Sequence, residues 1–146
     1  MIEFFKMNSN IERVDMNVLI VDDSKIVRRV LTNTMKRYFK PPKYEELNLF
    51  EAEDGLVAMK HMKNEQIDIM LLDWNMPNMN GEEVVDAVRA NKEWNKTRIV
   101  MATTEGGKAS VLKMIKKGAN GYMVKPFNEE SIYKTLDTIT ARMTQK

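Results

Sequence analysis

The sequence predicts a doubly wound α/β domain, a five-stranded parallel sheet with five helices on its two faces. Three observations lead there. Short aliphatic runs, too brief for helices, read as strands buried on both faces; the plainest is Ile69-Met70-Leu71-Leu72, stopped by Asp73. Between such runs lie stretches with apolar residues at three- and four-residue steps, as in helices with one buried stripe. The two kinds of segment alternate along the chain, which calls for right-handed crossovers and parallel strands.

Each element follows in order. Residues 17–21 read as the first strand, with Val18, Leu19, Ile20 and Val21 unbroken up to Asp22 and Asp23. Ser24 is a suitable helix cap, and Ile26, Val27, Val30, Leu31, Thr34, Met35 and Tyr38 make the buried stripe of the helix it opens. Pro41 and Pro42 must end that helix, because proline lacks the amide donor and restricts the residue before it; a long, exposed loop is expected there. Residues 47–52 read as a strand, 55–64 as a helix with Leu56, Met59 and Met62 inward, and 67–72 as the third strand. Val84, Val85 and Val88 share one face of a helix over 81–89, and residues 98–102 form a fourth strand ending at Thr103 and Thr104. A helix over 110–117, a strand over 121–124 closed by Lys125-Pro126, and a helix over 129–143 complete the pattern. The last helix carries Ile132, Leu136, Ile139 and Met143 on one face. Residues 1–15 show no clean periodicity and read as an N-terminal extension, a short helix or a loose tail, ahead of one domain over 16–146; Met16 is an alternative start.

A chain of 146 residues fits one domain that buries roughly two-thirds of its unfolded surface, with no room for a second catalytic or DNA-binding domain. With 23 basic and 21 acidic side chains the net charge is +2, so no general attraction to nucleic acid or to a membrane surface is expected. Cysteine is absent, which excludes disulfide and thiol chemistry and is compatible with a reducing compartment; the 13 methionines read as core filler. No apolar run approaches the roughly 20 residues of a membrane span, and the first residues lack the pattern of a signal peptide. The expectation is a cytoplasmic, soluble protein. His61, among polar neighbours, reads as a surface residue, and Trp74 as part of a pocket rim.

Parallel strands bring their carboxyl ends to one edge of the sheet, where ligands collect in open α/β folds. Asp22 and Asp23 follow the first strand, Asp73 the third, Thr103 and Thr104 the fourth, and Lys125 the fifth. One aspartate at a strand end is ordinarily a turn residue. Four strand tips furnished in this way point to chemistry. Three clustered carboxylates repel and demand either a raised pKa or a cation, and hard oxygen donors suit Mg²⁺. Asp23 and Asp73 are the expected direct ligands, with the backbone carbonyl of Asn75 as a third and Asp22 acting largely through water. Asp73 is then placed as a carboxylate nucleophile that accepts a phosphoryl group as an acyl phosphate, while Thr103 donates a hydrogen bond and Lys125 a positive charge to the phosphoryl oxygens.

The segments Val21-Asp22-Asp23-Ser24, Asp73-Trp74-Asn75-Met76-Pro77-Asn78-Met79-Asn80-Gly81, Thr103-Thr104-Glu105 and Gly121-Tyr122-Met123-Val124-Lys125-Pro126-Phe127 resemble the receiver domain of bacterial two-component response regulators. Within it they are most similar to the single-domain CheY-type chemotaxis proteins. The resemblance spans residues 16–143. It implies a flavodoxin-like sheet of order 2-1-3-4-5, phosphorylation of Asp73 by a histidine kinase, and dependence on Mg²⁺. It further implies that Thr103 and Tyr122 form a switch pair, that Asn75 and Glu105 tune the loss of phosphate to water, and that Lys125-Pro126 is cis. The output partner would bind the face made by the fourth helix, fifth strand and last helix, the flagellar motor switch being one such partner.

An added phosphoryl group brings roughly −1.5 to −2 charges, enough to reorder a loop. Gly106 and Gly107 stand beside the expected site, as a mobile loop or as a tight connection. Two alternatives stay open. One is a Mg²⁺-dependent phosphatase of the haloacid-dehalogenase type with Asp73 as turnover nucleophile, although the residue two positions on, where those enzymes keep an acid, is Asn75. The other is a receiver outside chemotaxis, monomeric or weakly dimeric. Thr135 and Thr138 stand where lysines are usual in CheY-type proteins, and both the Pro41-Pro42 loop and the N-terminal extension depart from the pattern.

Overall fold

Residues 14–143 are described by the computed structural model, and within them five strands alternate with five α-helices. In chain order these are β1 (Val14–Val21), α1 (Lys25–Tyr38), β2 (Tyr44–Ala52), α2 (Gly55–Asn64), β3 (Ile69–Leu72), α3 (Gly81–Ala90), β4 (Arg98–Thr103), α4 (Lys108–Lys117), β5 (Gly121–Val124) and α5 (Glu129–Met143). A single 3₁₀ turn, Lys92–Trp94, leads from α3 toward β4. The sheet order is β2-β1-β3-β4-β5, and every pairing is parallel. This is the doubly wound architecture expected.

Successive strand residues face opposite sides of a sheet, so the central strands feed two cores at once. Val18, Ile20, Ile69 and Leu71 join Leu31 and Met35 of α1 and Leu136 of α5 on one face. Leu19, Met70, Leu72 and Met101 join Val84, Val85 and Val88 of α3 on the other. Met35, Met70, Met101 and Met114 are fully buried, so methionine does fill core space.

Local chemistry sets the helix starts. Ser24, Asp54 and Asn80 each accept a backbone N–H from the first turn of the helix they cap, and Asn80 with Glu83 forms a reciprocal capping box. Asn128 accepts the Ser131 N–H at 2.8 Å at the start of α5. Gly118, at φ 119°, ends α4 in the left-handed region that glycine adopts without strain. The half-buried Arg89 reaches the carbonyls of Gly118 (2.9 Å) and Thr97 (2.7 Å) and the Asn120 side chain (2.8 Å) through its guanidinium, tying the ends of α3 and α4 to the start of β4.

Several expectations are corrected. Ile26 (77% exposed), Val30 (50%) and Leu56 (54%) face outward, because the sheet covers a narrower arc of each helix than its apolar spacing spans. The proline loop is exposed but short: only residues 39–43 separate α1 from β2, since β2 already begins at the buried Tyr44. Lys125–Pro126 is cis as the resemblance implied, and Pro41–Pro42 is cis as well. β1 starts at Val14 and not at residue 17, β3 at Ile69 and not at 67, and α4 at Lys108 and not at 110. Residues 1–13 of the expected extension and the last three residues lie outside the described ones. Among the described residues no helix is long and apolar enough to cross a membrane.

Candidate functional site

The parallel register sets Val21, Leu72, Thr103 and Val124 at the carboxyl ends of neighbouring strands. Ladder hydrogen bonds then run one residue further, from the Asp22 N–H to the Ala52 carbonyl (3.0 Å), Asp73 to Val21 (2.9 Å) and Lys125 to Thr103 (2.8 Å). The residues that leave the sheet are therefore held by it.

Carboxylate oxygens of Asp22, Asp23 and Asp73 lie within 4.8 Å of one another. Asp22 and Asp73 are buried, at 1% and 6% exposure, while Asp23 is open to solvent. The Lys125 ammonium donates to Asp22 Oδ2 at 2.7 Å and to Asp73 Oδ2 at 3.4 Å. The second oxygen of Asp22 accepts the Ser24 N–H at 2.8 Å, and that of Asp73 accepts the Trp74 N–H, also at 2.8 Å. Burial, and after it the Asp22 charge, raise the Asp73 pKa against the opposing pull of Lys125, the Thr103 hydroxyl and the Trp74 N–H. Burial works against the charge on Lys125, but its hydrogen bond to Asp22 and the charges of Asp73 and Asp22 outweigh that and raise its pKa.

The donor set passes a simple test for a metal. Three carboxylates against one lysine leave a formal charge of −2, all ligand atoms are hard oxygens, and a divalent cation neutralises the excess. The acidic cluster is thus consistent with a divalent-metal site.

Thr103 is fully buried, and its hydroxyl accepts the Glu105 N–H at 3.4 Å. Tyr122 is half-buried, and its hydroxyl donates to the Glu105 carbonyl. The two residues of the expected switch pair therefore grip the two sides of Glu105, whose own side chain is exposed, as is Asn75. Burial, then the nearby Glu105 charge, raise the Tyr122 pKa. Trp74 is half-buried at the rim, and His61 lies over β2, also half-buried, beside Phe50 and the Glu51 carbonyl.

Some supporting residues escape sequence reasoning. Arg28 donates to the Asp22 carbonyl at 2.7 Å while paired with Glu51 at 3.0 Å, which fixes the main chain of the acidic pair. A Cβ on Gly81 would stand 2.2 Å from the Asp73 carbonyl oxygen, so α3 can start against the site only with glycine there. Asn78, at φ 68°, donates to Asp54 at 2.8 Å and links the segment after Asp73 to the start of α2. Asparagine tolerates that backbone region, which is the one sequence-level hint of it.

The profile of the response regulator receiver domain matches residues 18–137, and the chain belongs to that family. It is similar to a chemotaxis protein CheY homolog of Campylobacter jejuni, 42% identical over 125 residues that cover 85% of this chain and 92% of the relative. It is also similar to chemotaxis protein CheY1 of Helicobacter pylori, 40% identical over 85% of this chain and 96% of that protein. Among solved structures, that of chemotaxis response regulator CheY4 of Vibrio cholerae superposes with a TM-score of 0.75 at 33% identity, over 86% of this chain and 99% of that one. The protein is accordingly a receiver domain closely related to CheY-type chemotaxis proteins at moderate identity. Receiver domains are typically phosphoacceptors and not turnover enzymes, so the phosphatase alternative falls away. Their architecture implies a histidine-kinase phosphodonor and an output partner.

Proposed function

We propose that Asp73 is the phosphoacceptor of a response regulator that takes its phosphoryl group from a histidine kinase with Mg²⁺ and so controls a protein partner. The observation that carries this reading is the Asp22–Asp23–Asp73 cluster, bridged by Lys125 at the carboxyl edge of the sheet. Asp73 attacks phosphorus, an O–P bond forms as the donor's N–P bond breaks, and the imidazole leaves with the electron pair. Lys125 and the Thr103 hydroxyl stand ready for the phosphoryl oxygens. Asp23, Asp73 and the Asn75 carbonyl would hold Mg²⁺, which when bound offsets negative charge on the transferring group. Asp22, which holds the Lys125 ammonium more closely than Asp73 does (2.7 Å against 3.4 Å), would act on the ion largely through water.

Thr103 and Tyr122 then serve as the switch, since a hydroxyl drawn to a new phosphoryl group gives up the Glu105 N–H that it accepts at 3.4 Å. Asn75 and Glu105 tune the lifetime of the acyl phosphate. The receiver unit acts in the cytoplasm and begins with β1 at Val14, two residues ahead of the expected boundary at 16, with the residues before it as an extension. The similarity to proteins named for chemotaxis supports a partner at the flagellar motor, bound through α4, β5 and α5. Leu112 (49% exposed), Ile115 (42%) and Val124 (42%) leave apolar surface there for it. Incubation with Mg²⁺ and a small phosphodonor should give stoichiometric, alkali-labile phosphate on the wild-type protein and none on Asp73→Asn. Sustained hydrolysis of many donor equivalents, or labelling that survives the substitution, would overturn the assignment.

A further inference from the structure

The seam between α3 and α4 carries a charged network that phosphoryl transfer does not use. Glu82 lies 3.1 Å from Lys113 and 3.3 Å from Lys117, and Lys117 also reaches Asp86 at 3.1 Å. The hydrogen bond from Lys113 holds the Glu82 carboxyl below its ordinary range, and the bond to Asp86 holds Lys117 above its own. Isolated surface ion pairs contribute little, and a solvated face is the ordinary meaning of such a set. Two features set this one apart.

The network ends on an aromatic ring next to the site. Lys113 Nζ stands 6.0 Å from the ring centroid of Trp74, at the outer reach of a cation–π contact. The main chain of Trp74 is already fixed, its N–H on Asp73 and its carbonyl accepting the Gly81 N–H at 2.8 Å. Only the indole is left to answer to α4. The helix itself is weakly seated: Met114 is its one buried residue, and Gly107 supplies no side-chain cap. Small increments therefore decide where α4 sits.

We propose that Lys113, held by Glu82, is a positioning residue that latches α4 onto the Trp74 indole, so that occupancy of Asp73 and the seat of α4 are coupled. The coupling rests on the phosphoacceptor reading of Asp73 and is reciprocal, so loosening the latch changes how well a phosphoryl group is held. A single exposed cation–π contact sets its size at a factor of about two to five.

The test uses the full chain with Trp94→Phe, which leaves Trp74 as the sole indole of the two in the sequence. Acrylamide quenching of Trp74 and the affinity for beryllofluoride with Mg²⁺, a phosphoryl mimic, are measured together. Lys113→Gln should raise quenching and shift beryllofluoride affinity, each by about two- to five-fold. Lys113→Arg, whose guanidinium also stacks on aromatic faces, should restore both. Raised salt should raise acrylamide quenching in the parent more than in Lys113→Gln, because screening weakens only the Lys113 contact that exists and acrylamide is neutral. Equal beryllofluoride affinity in parent and Lys113→Gln, whatever the quenching, overturns the latch while leaving Asp73 as acceptor. Failure of the parent to bind beryllofluoride at all overturns the phosphoacceptor reading instead, and the coupling with it.

Discussion

The two helices that border β5 are fastened in opposite ways. On one face of the sheet α5 buries Ile132, Leu136, Ile139 and Thr140 and starts from a side-chain cap at Asn128. It is also stapled to α1, through Tyr38 to Asp137 at 2.6 Å and Arg37 to Glu129 at 2.6 Å, with the Tyr38 and Tyr133 rings edge to face at 5.1 Å. On the other face α4 buries Met114 alone, follows Gly106-Gly107 without a side-chain cap, and relies on exposed ion pairs with α3. The contrast lies where the proposed switch would act. The segment gripped by Thr103 and Tyr122 leads into α4, so a change at Asp73 meets the helix with the least to lose on one side and a fixed wall on the other.

The strongest way to break this comparison is to truncate one fully buried residue in each helix, of the several that α5 commits and the single one that α4 does. Leu136→Ala removes a fully buried side chain from the central core and should cost about 2–5 kcal/mol in urea unfolding. Met114→Ala removes an equally buried side chain, yet the expected loss in global stability is smaller, because α4 opens locally before the rest of the domain. Native-state hydrogen exchange separates the two: α4 amides should exchange by local opening and α5 amides only with global unfolding. Equal protection of both helices would end the comparison.

A smaller test addresses the staple. Tyr38→Phe deletes the hydroxyl on Asp137 and should cost about 1 kcal/mol near neutral pH. Burial, and then the hydrogen bond to Asp137, push the Tyr38 pKa from 10.0 up to about 12. The folded state thus favours the neutral phenol, so the stabilisation is complete below pH 10 and is lost as pH rises through about 12. Discounted for partial exposure, that contributes about 1 kcal/mol. Unfolding curves between those limits should converge for wild type and Tyr38→Phe; parallel curves would show that the staple carries no such load.

What the sequence alone discloses divides along the same line. The strands and the chemistry at their tips were legible because both are local: an aliphatic run reads as a strand whatever surrounds it, and a parallel sheet must align its ends. Asp22, Asp23, Asp73, Thr103 and Lys125 meet at one edge as that logic requires. Helix faces were legible only where apolar spacing and tertiary cover coincide, as at Val84, Val85 and Val88. Ile26, Val30 and Leu56 keep the same spacing and remain in solvent, since spacing says how wide a stripe is and not how much of it a neighbour covers. Fastenings between distant residues, Asp54 to Asn78, Arg28 to the Asp22 carbonyl, Lys113 to Trp74, leave no periodic trace at all.

The finest test adds what α4 lacks. Gly107 occupies the cap position at φ −65° and ψ 145°, an extended conformation open to any residue, and a Cβ there meets nothing within 4 Å. Gly107→Ser can therefore offer its hydroxyl to the orphan N–H groups of the first turn without displacing a neighbour. The gain over glycine is only a few tenths of a kcal/mol, roughly a 1.5-fold change in the opening equilibrium. The increment should appear as slower exchange of the α4 amides with the weak urea dependence of a local opening, while the α5 amides keep the steep urea dependence of global unfolding. An equally steep urea dependence for the amides of both helices would mean that they share one cooperative unit, and that the freedom of α4 is smaller than its sparse burial indicates.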